Sequence, residues 1–356
     1  MNAGPSAGPA NAITDIGGVL VGHHQRIGKG WATGTTVVLV PNGAVGGVDS
    51  RGGAPGTRET TLLRPWNLVQ RVHGVCLSGG SAYGLAAADG VMRWLAERHH
   101  GFPVGHEPYE VVPIVPSAVL FDLPRSEWGN RPDAGFGYAA SEAATSGTVL
   151  QGCVGAGAGA KVGSLKGGIG TASAVLPGGV TVAALAAVNA YGEAVDLATG
   201  RLWGLDADSW PEFRLRLPDR PASLGAVERT ELNTTIGVVA TDAVLDKAEC
   251  HRMAAAAQDG LARALRPAHS MFDGDTVFAL ATGDRPLAAG ADGAAGPGRA
   301  VELDQVYSAA AEVFARAVVH GVLAAHSMAG LTAYRDAWPE ALSGDTTGSA
   351  KRSRRE

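Results

Sequence analysis

Apolar residues in this chain come in short runs that stay apolar at successive positions. Thr36–Val40, Gly74–Leu77, Val111–Val115, Val180–Val188, Thr235–Ala240 and Thr276–Ala281 are each of strand length. Runs apolar on both faces predict strands in a sheet that is covered on both sides. Between them the pattern changes to helical spacing. Ser81 to His99 follows Gly79-Gly80. Asp246 to Leu265 opens with Asp246-x-x-Glu249, a capping-box pattern, and stops before Pro267. Val306 to His326 is alanine-rich and suited to close packing. Interspersed strands and helices predict an α/β fold. The stretch from Leu202 to Glu231 lacks periodicity, is richer in Pro, Arg and Trp, and reads as a surface excursion.

That excursion ends at a polar-to-apolar junction, Asn233-Thr234-Thr235-Ile236-Gly237-Val238-Val239-Ala240-Thr241. Two adjacent hydroxyl residues behind an Asn have two readings. Thr is a good β-former, so the pair suits any strand mouth. A cut between Asn233 and Thr234 would instead leave Thr234 with a hydroxyl and a free α-amine. Such an amine titrates near pH 8 and serves as the local base for its own hydroxyl.

Composition narrows the setting. With 356 residues, 46% hydrophobic and 18% charged, the chain is globular and long enough to bury a substantial core. The 51 glycines lie inside apolar stretches, which predicts tight turns and close backbone approaches. A net charge of −5 gives no general attraction to nucleic acid. Three widely spaced cysteines, Cys76, Cys153 and Cys250, fit reduced thiols in a cytosol rather than a disulfide framework. The opening MNAGPSAGPANAITD has neither a basic nor an apolar leader segment, and there is no charge-free apolar run of about 18 residues. A cytoplasmic protein without nucleic-acid or membrane partners is expected. Residues 1–11 and 343–356 read as disordered ends, the second a solvated basic tip.

Other clusters carry possible chemistry. The block from Gly152 to Lys161 has Gly155-x-Gly157-x-x-Ala160 but leads into Val162-Gly163-Ser164, not an amphipathic helix, so it is no dinucleotide site. No cofactor is expected. Asp273-Gly274-Asp275-Thr276 is a turn signal before an apolar strand, or a pair of carboxylates at a strand mouth able to fix a hydroxyl or amine. It lacks the remaining ligands of a calcium loop, and no metal is expected. Asn189 closes the run Val180–Val188, either as a turn former or as a side-chain donor for an oxyanion. His269 lies just upstream of Asp273 and suits a supporting role better than that of general base.

Arg51-Gly-Gly-Ala-Pro-Gly-Thr-Arg-Glu-Thr60, Leu77-Ser-Gly-Gly-Ser-Ala-Tyr-Gly-Leu85, Lys166-Gly-Gly-Ile-Gly-Thr-Ala-Ser173, Asn189, Asn233-Thr-Thr-Ile-Gly-Val-Val-Ala-Thr-Asp242 and Asp273-Gly-Asp-Thr276 occur in this order. From about Ile13 to Trp338 the chain resembles the L-aminopeptidase/D-esterase family of the DmpA type, which includes β-peptidyl aminopeptidases and a pantetheine-cleaving member. The resemblance implies one domain over 12–342, folded as a four-layer αββα sandwich like that of N-terminal-nucleophile hydrolases and ornithine acetyltransferase. It also implies a precursor that cleaves itself into 1–233 and 234–356, and a homo-oligomer, usually a tetramer. By motif, Thr234 matches the nucleophile and Asn189 the oxyanion-hole Asn, while Asp273 and Asp275 fall where the family places a Ser/Gly/acid element beside the nucleophile, so that Asp273 replaces a hydroxyl. Gly79, Gly80, Ser117 and Val119 fall at substrate-binding positions.

One departure bears on the substrate. Aminopeptidase members carry a Glu and a Tyr on the strand matching Val112–Val119, where this chain has Ser117 and Val119. Without that carboxylate a free substrate amine loses its charge partner. The expected activity is hydrolysis of an amide or ester of a small aminoacyl or peptide-like substrate through an acyl-enzyme on Thr234. The alternatives are an acyltransferase resembling ornithine acetyltransferase and a binding protein that kept the fold without catalysis.

Overall fold

A computed structural model describes residues 5–205, 211–213, 215–216, 218, 220–222, 224, 232–287 and 297–342. The expected basic tip at 343–356, the first four residues and parts of the excursion before Asn233 lie outside the described residues. Nine strands form one sheet: β1 (Leu20–Gly28), β2 (Trp31–Ser50), β3 (Gly56–Arg58), β4 (Arg71–Ser78), β5 (Ser117–Val119), β6 (Ile169–Val175), β7 (Thr181–Ala187), β8 (Ile236–Ala243) and β9 (Thr276–Arg285). Their order is β6-β7-β8-β9-β2-β4-β5-β3, with β1 also on β2. The pairs β8–β9 and β4–β5 are parallel and the others antiparallel.

β2 turns this single sheet into two layers. Its register on β4 shifts between Leu39 and Ala44, across Pro41-Asn42-Gly43. Before the break it pairs with β1 and β4, and beyond it with β9 from Val45 to Ser50. The sheet therefore folds back on itself. The pleat then sends alternate residues of each strand into different cores. In β2, Val38 and Val40 join Leu77, Ala118, Leu185, Val238 and Phe278 between the layers. Val37 and Leu39 point the other way, against α1 (Ala87–Ala96) and the α2 helix (Ala134–Glu142). On the second layer Val182, Val239, Val277 and Ala279 pack under α3 (Lys247–Ala264) and α4 (Pro297–Ala324). Three apolar strata between four layers make the αββα sandwich.

The helix signals hold with shifted bounds. Asp246 caps α3, accepting the Glu249 N–H at 2.8 Å while Glu249 accepts the Asp246 N–H at 2.9 Å. Ser81 to His99 divides into a 3₁₀ turn over Ser81–Ala86 and then α1. α4 is long and apolar enough to cross a membrane by composition, yet 78% of its most apolar window is buried inside the fold. The alanine-rich surface is spent on tight packing against α3 and β6.

Both expected loose regions are tied down where described. Residues 5–11 run along β6: Ser6 pairs with Val175, and Asn11 Oδ1 accepts the Ser173 N–H at 3.0 Å. In the excursion, Glu212 accepts two hydrogen bonds from the buried Arg316 of α4, at 2.8 and 2.7 Å. The Arg216 N–H donates to the Ala341 carbonyl at 3.0 Å.

Candidate active site

Thr234 and Thr235 stand at the mouth of β8, which pairs in parallel with β9 and starts opposite Thr276. Parallel strands enter from the same end, so the chain segments leading into both meet there. Asn233 forms an isolated parallel bridge with Asp273, and the Thr276 N–H donates to the Thr235 carbonyl at 3.2 Å. The loop 270–275 is thus laid against the Asn233-Thr234 bond, and β7 delivers Asn189 from the other side.

Around Thr234 the backbone does the holding. Its N–H donates to the Asn189 carbonyl at 2.6 Å. Its Oγ donates to the carbonyl oxygen of its own neighbour, Asn233. The Gly274 N–H reaches both oxygens, that Asn233 carbonyl at 3.1 Å and the Thr234 Oγ at 3.2 Å. Residue 274 has to be glycine: a Cβ there would stand 2.8 Å from the Thr234 Oγ and 2.6 Å from the Ala54 carbonyl. The strip Arg51-Gly52-Gly53-Ala54 closes this side, with Arg51 N–H donating to the Asp275 carbonyl at 3.0 Å and Ala54 N–H to that of Asp273 at 2.8 Å.

Both carboxylates of the acidic pair are buried and engaged by donors other than the Thr234 hydroxyl. Asp275 accepts the Thr235 N–H at 2.9 Å on one oxygen. Its other oxygen accepts the His269 N–H at 3.1 Å and lies 2.9 Å from His269 Nδ1. Asp273 accepts the Tyr191 N–H at 3.0 Å and both the N–H and the hydroxyl of Ser270. Burial raises the Asp273 pKa above the usual carboxylate range, and the neighbouring Asp275 charge adds to the rise. The pair fixes the two loops that flank the bond: Asp275 orients the Thr234-Thr235 strand mouth, and Asp273 clips the Asn189–Tyr191 turn to the 270–274 loop.

Asn189 is nearly fully buried. Its Oδ1 accepts the Lys161 N–H at 2.9 Å, and its Nδ2 makes a long bond of 3.4 Å to the Phe121 carbonyl. Behind it lies a carboxyl that the sequence reading passed over. Asp122 Oδ1 accepts the Gly80 N–H at 2.6 Å. Its Oδ2 has no hydrogen bond of good geometry among the described residues and faces the Thr33 hydroxyl. Gly79 and Gly80 shape this recess. A Cβ on Gly79 would collide with both Asp122 Oδ2 and Thr33 Oγ, and Gly80 has φ +85°. Burial pushes Asp122 up to about 6 and the nearby Lys166 down to about 8, against their mutual attraction. Lys166 Nζ donates to the Gly157 and Gly167 carbonyls, each at 2.7 Å.

The remaining expected positions are less central. Ser117 is fully buried in β5, paired with Cys76 on the α1 side of the sheet, so it offers no surface to a substrate. Val119 adjoins Gly56, next along the strip from Pro55, whose Cα a Cβ on Gly274 would approach within 3.0 Å. His269 lies beside Asp275, its Nδ1 2.9 Å from Oδ2. Nothing in the sequence pattern marks Asp122 or the Gly274 amide: the first is one Asp after an apolar run, the second a backbone group. No three His, Cys, Asp or Glu side chains converge as metal ligands among the described residues.

An αββα sandwich that brings a Thr hydroxyl, an amide carbonyl and buried carboxylates together at one strand mouth suits an amide hydrolase. Comparison with known proteins gives the family. The model of peptidase family S58 matches residues 11–335, and the chain belongs to that family. It is 54% identical over 348 residues to a Mycobacterium tuberculosis (strain ATCC 25618 / H37Rv) protein named an uncharacterized aminopeptidase, covering 93% of this chain and 99% of that protein. It is 32% identical over 284 residues to a 6-aminohexanoate-oligomer endohydrolase of Paenarthrobacter ureafaciens, covering 77% of this chain and 75% of that one. Among solved structures it is similar to a Burkholderia sp. beta-aminopeptidase, with TM-score 0.68, 25% identity, and coverage of 96% of this chain and 97% of the other. The protein is a hydrolase of peptidase or amidase type.

Proposed function

We propose that this protein processes itself between Asn233 and Thr234 and then uses Thr234 as an N-terminal nucleophile to hydrolyse amides or esters of small, peptide-like substrates. The observation that carries the reading is the Gly274 N–H shared between the Asn233 carbonyl oxygen and the Thr234 Oγ, at 3.1 and 3.2 Å. One donor thus polarises the carbonyl and fixes the hydroxyl beside it, in the manner of an oxyanion hole.

In processing, the Thr234 Oγ attacks the Asn233 carbonyl carbon. The C–N bond breaks as the C–O bond forms, and the hydroxyl proton passes to the departing nitrogen. Water hydrolyses the resulting ester, leaving Asn233 as a carboxylate and Thr234 with a free amine. That amine stays within reach of the Asn189 carbonyl, its partner at 2.6 Å in the intact chain. In turnover it takes the Oγ proton while the oxygen attacks a substrate carbonyl. Asn189 Nδ2, whose 3.4 Å bond to Phe121 is its weakest, turns to the developing oxyanion alongside Gly274. Water then releases the acid.

The test is mass spectrometry with N-terminal sequencing of the purified protein. The wild type should yield fragments 1–233 and 234–356, the second beginning Thr-Thr-Ile-Gly, while Thr234→Ala stays whole and folded. A wild-type chain that remains intact yet hydrolyses amides, or an alanine variant that is cut, would overturn the reading.

A further inference from the structure

In the intact chain Asn233 occupies the site as the acyl half of the bond to be cut. It is held at two backbone points. Its carbonyl oxygen accepts the Gly274 N–H at 3.1 Å, and its own N–H donates to the Phe272 carbonyl at 2.9 Å. Phe272 and Gly274 flank Asp273, the partner of Asn233 in the parallel bridge. The acceptor and the donor are therefore spaced for one extended residue, with its N–H one carbon away from its C=O. On the nitrogen side Leu232 is 43% exposed. Met271 and Phe272 on the paired loop are exposed too, with the Tyr191 ring centred 5.6 Å from that of Phe272.

Resting on the reading of Thr234 as nucleophile, we infer that, once Asn233 has left, the Phe272 carbonyl and the Gly274 N–H form an acyl subsite that recognises α-amido acyl groups. The substrate places an N–H on the carbon next to its reacting carbonyl, and that nitrogen carries further chain toward solvent. Such a group satisfies both backbone partners while its carbonyl carbon meets the Thr234 Oγ. An ω-amido acyl group, such as a 6-aminohexanoyl unit, separates N–H from carbonyl by five carbons and satisfies only one. A tertiary amide at the α-nitrogen brings no donor and leaves the Phe272 carbonyl unpaired. The subsite reads backbone, so it places no demand for a charged amine.

The experiment uses the processed enzyme and four p-nitrophenyl esters: N-acetyl-leucyl, N-acetyl-N-methyl-leucyl, 6-acetamidohexanoyl and 4-methylpentanoyl. Acylation is read as a mass increment on the small chain and as nitrophenol release. The N-acetyl-leucyl ester should acylate Thr234 at least about tenfold faster than each of the other three, the scale expected for one lost hydrogen bond. Equal rates across the panel, or a faster N-methyl or 6-acetamidohexanoyl ester, would overturn the subsite and leave the nucleophile standing. If no ester adds mass to Thr234, the nucleophile reading falls and the subsite falls with it.

Discussion

Asn189 divides the site into two halves that treat buried charge in opposite ways. In front, at Thr234, Asp273 and Asp275 each have three polar contacts, from the backbone of Tyr191, Thr235, His269 and Ser270 and from two side chains. Behind, Asp122 keeps one short bond to the Gly80 N–H and an Oδ2 that meets only the Thr33 hydroxyl. The front half has its carboxylates occupied in shaping the backbone, which leaves the Thr234 Oγ to the Asn233 carbonyl and the Gly274 N–H. The rear half holds a carboxyl near its titration point. Asn189 links the two through the Phe121 carbonyl, one residue before Asp122, and each half predicts a different failure.

The front half fails through geometry. Gly274→Ala drives a methyl to within 2.8 Å of the Thr234 Oγ, displacing the amide that polarises the Asn233 carbonyl. Self-cleavage should slow by on the order of 1000-fold, as when an oxyanion donor is lost, followed as the disappearance of intact chain with time. Cleavage at the wild-type rate would break the distinction, because the front half would then owe nothing to that amide.

The rear half fails through pH. The folded pKa of Asp122, about 6, lies above its ordinary 3.8. Its contribution to stability is complete below the ordinary value and is lost as pH rises through about 6. At about 1.4 kcal/mol per unit, the intact protein should be about 2.5 kcal/mol less stable at pH 8 than at pH 4 through this group alone. Asp122→Asn removes that slope, and urea midpoints of the two proteins across this range measure it. Superimposable pH curves would place the charge cost elsewhere, with Lys166 the next group to change. For the front pair, Asp273→Asn leaves a side-chain N–H₂ facing either the Tyr191 N–H or the Ser270 donors. Unfolding should cost about 1–3 kcal/mol less, and because the folded pKa of Asp273 is raised as well, part of the fall in stability with rising pH should disappear with it.

The sequence made the front half legible and left the rear half dark, for a physical reason. Asn189, Thr234, Asp273 and Asp275 lie where apolar strands end, so the break in hydrophobicity marks each one. β8 and α3 stand out in the same way, one by its β-branched run and the other by its Asp246 cap. Asp122 instead acquires its environment from Gly79, Thr33 and Gly159, residues far apart in sequence that meet only after the sheet folds over at β2. That fold-over also hides in the sequence: the run Thr36–Val40 is five residues of a strand of 20, and the rest carries the Gly-rich stretch from Asn42 to Gly47 that reads as a turn. β1 and α2 were missed as well. β1 is polar along His23-His24-Gln25-Arg26, where its burial falls away, and α2 has little apolar periodicity.

The smallest change tests where the two halves meet function. His269 Nδ1 lies 2.9 Å from Asp275 Oδ2, while its backbone N–H already reaches the same oxygen at 3.1 Å. His269→Asn suits the positive φ of 57° at this position, since Asn tolerates that region, and removes only the imidazole contact. If His269 serves to hold Asp275, the loss should be about 1 kcal/mol in unfolding free energy and less than about tenfold in cleavage rate, because the Thr235 N–H still anchors the carboxylate. If instead cleavage stops while stability is unchanged, the imidazole carries a proton in the reaction. Asp275 would then belong to a relay rather than a brace.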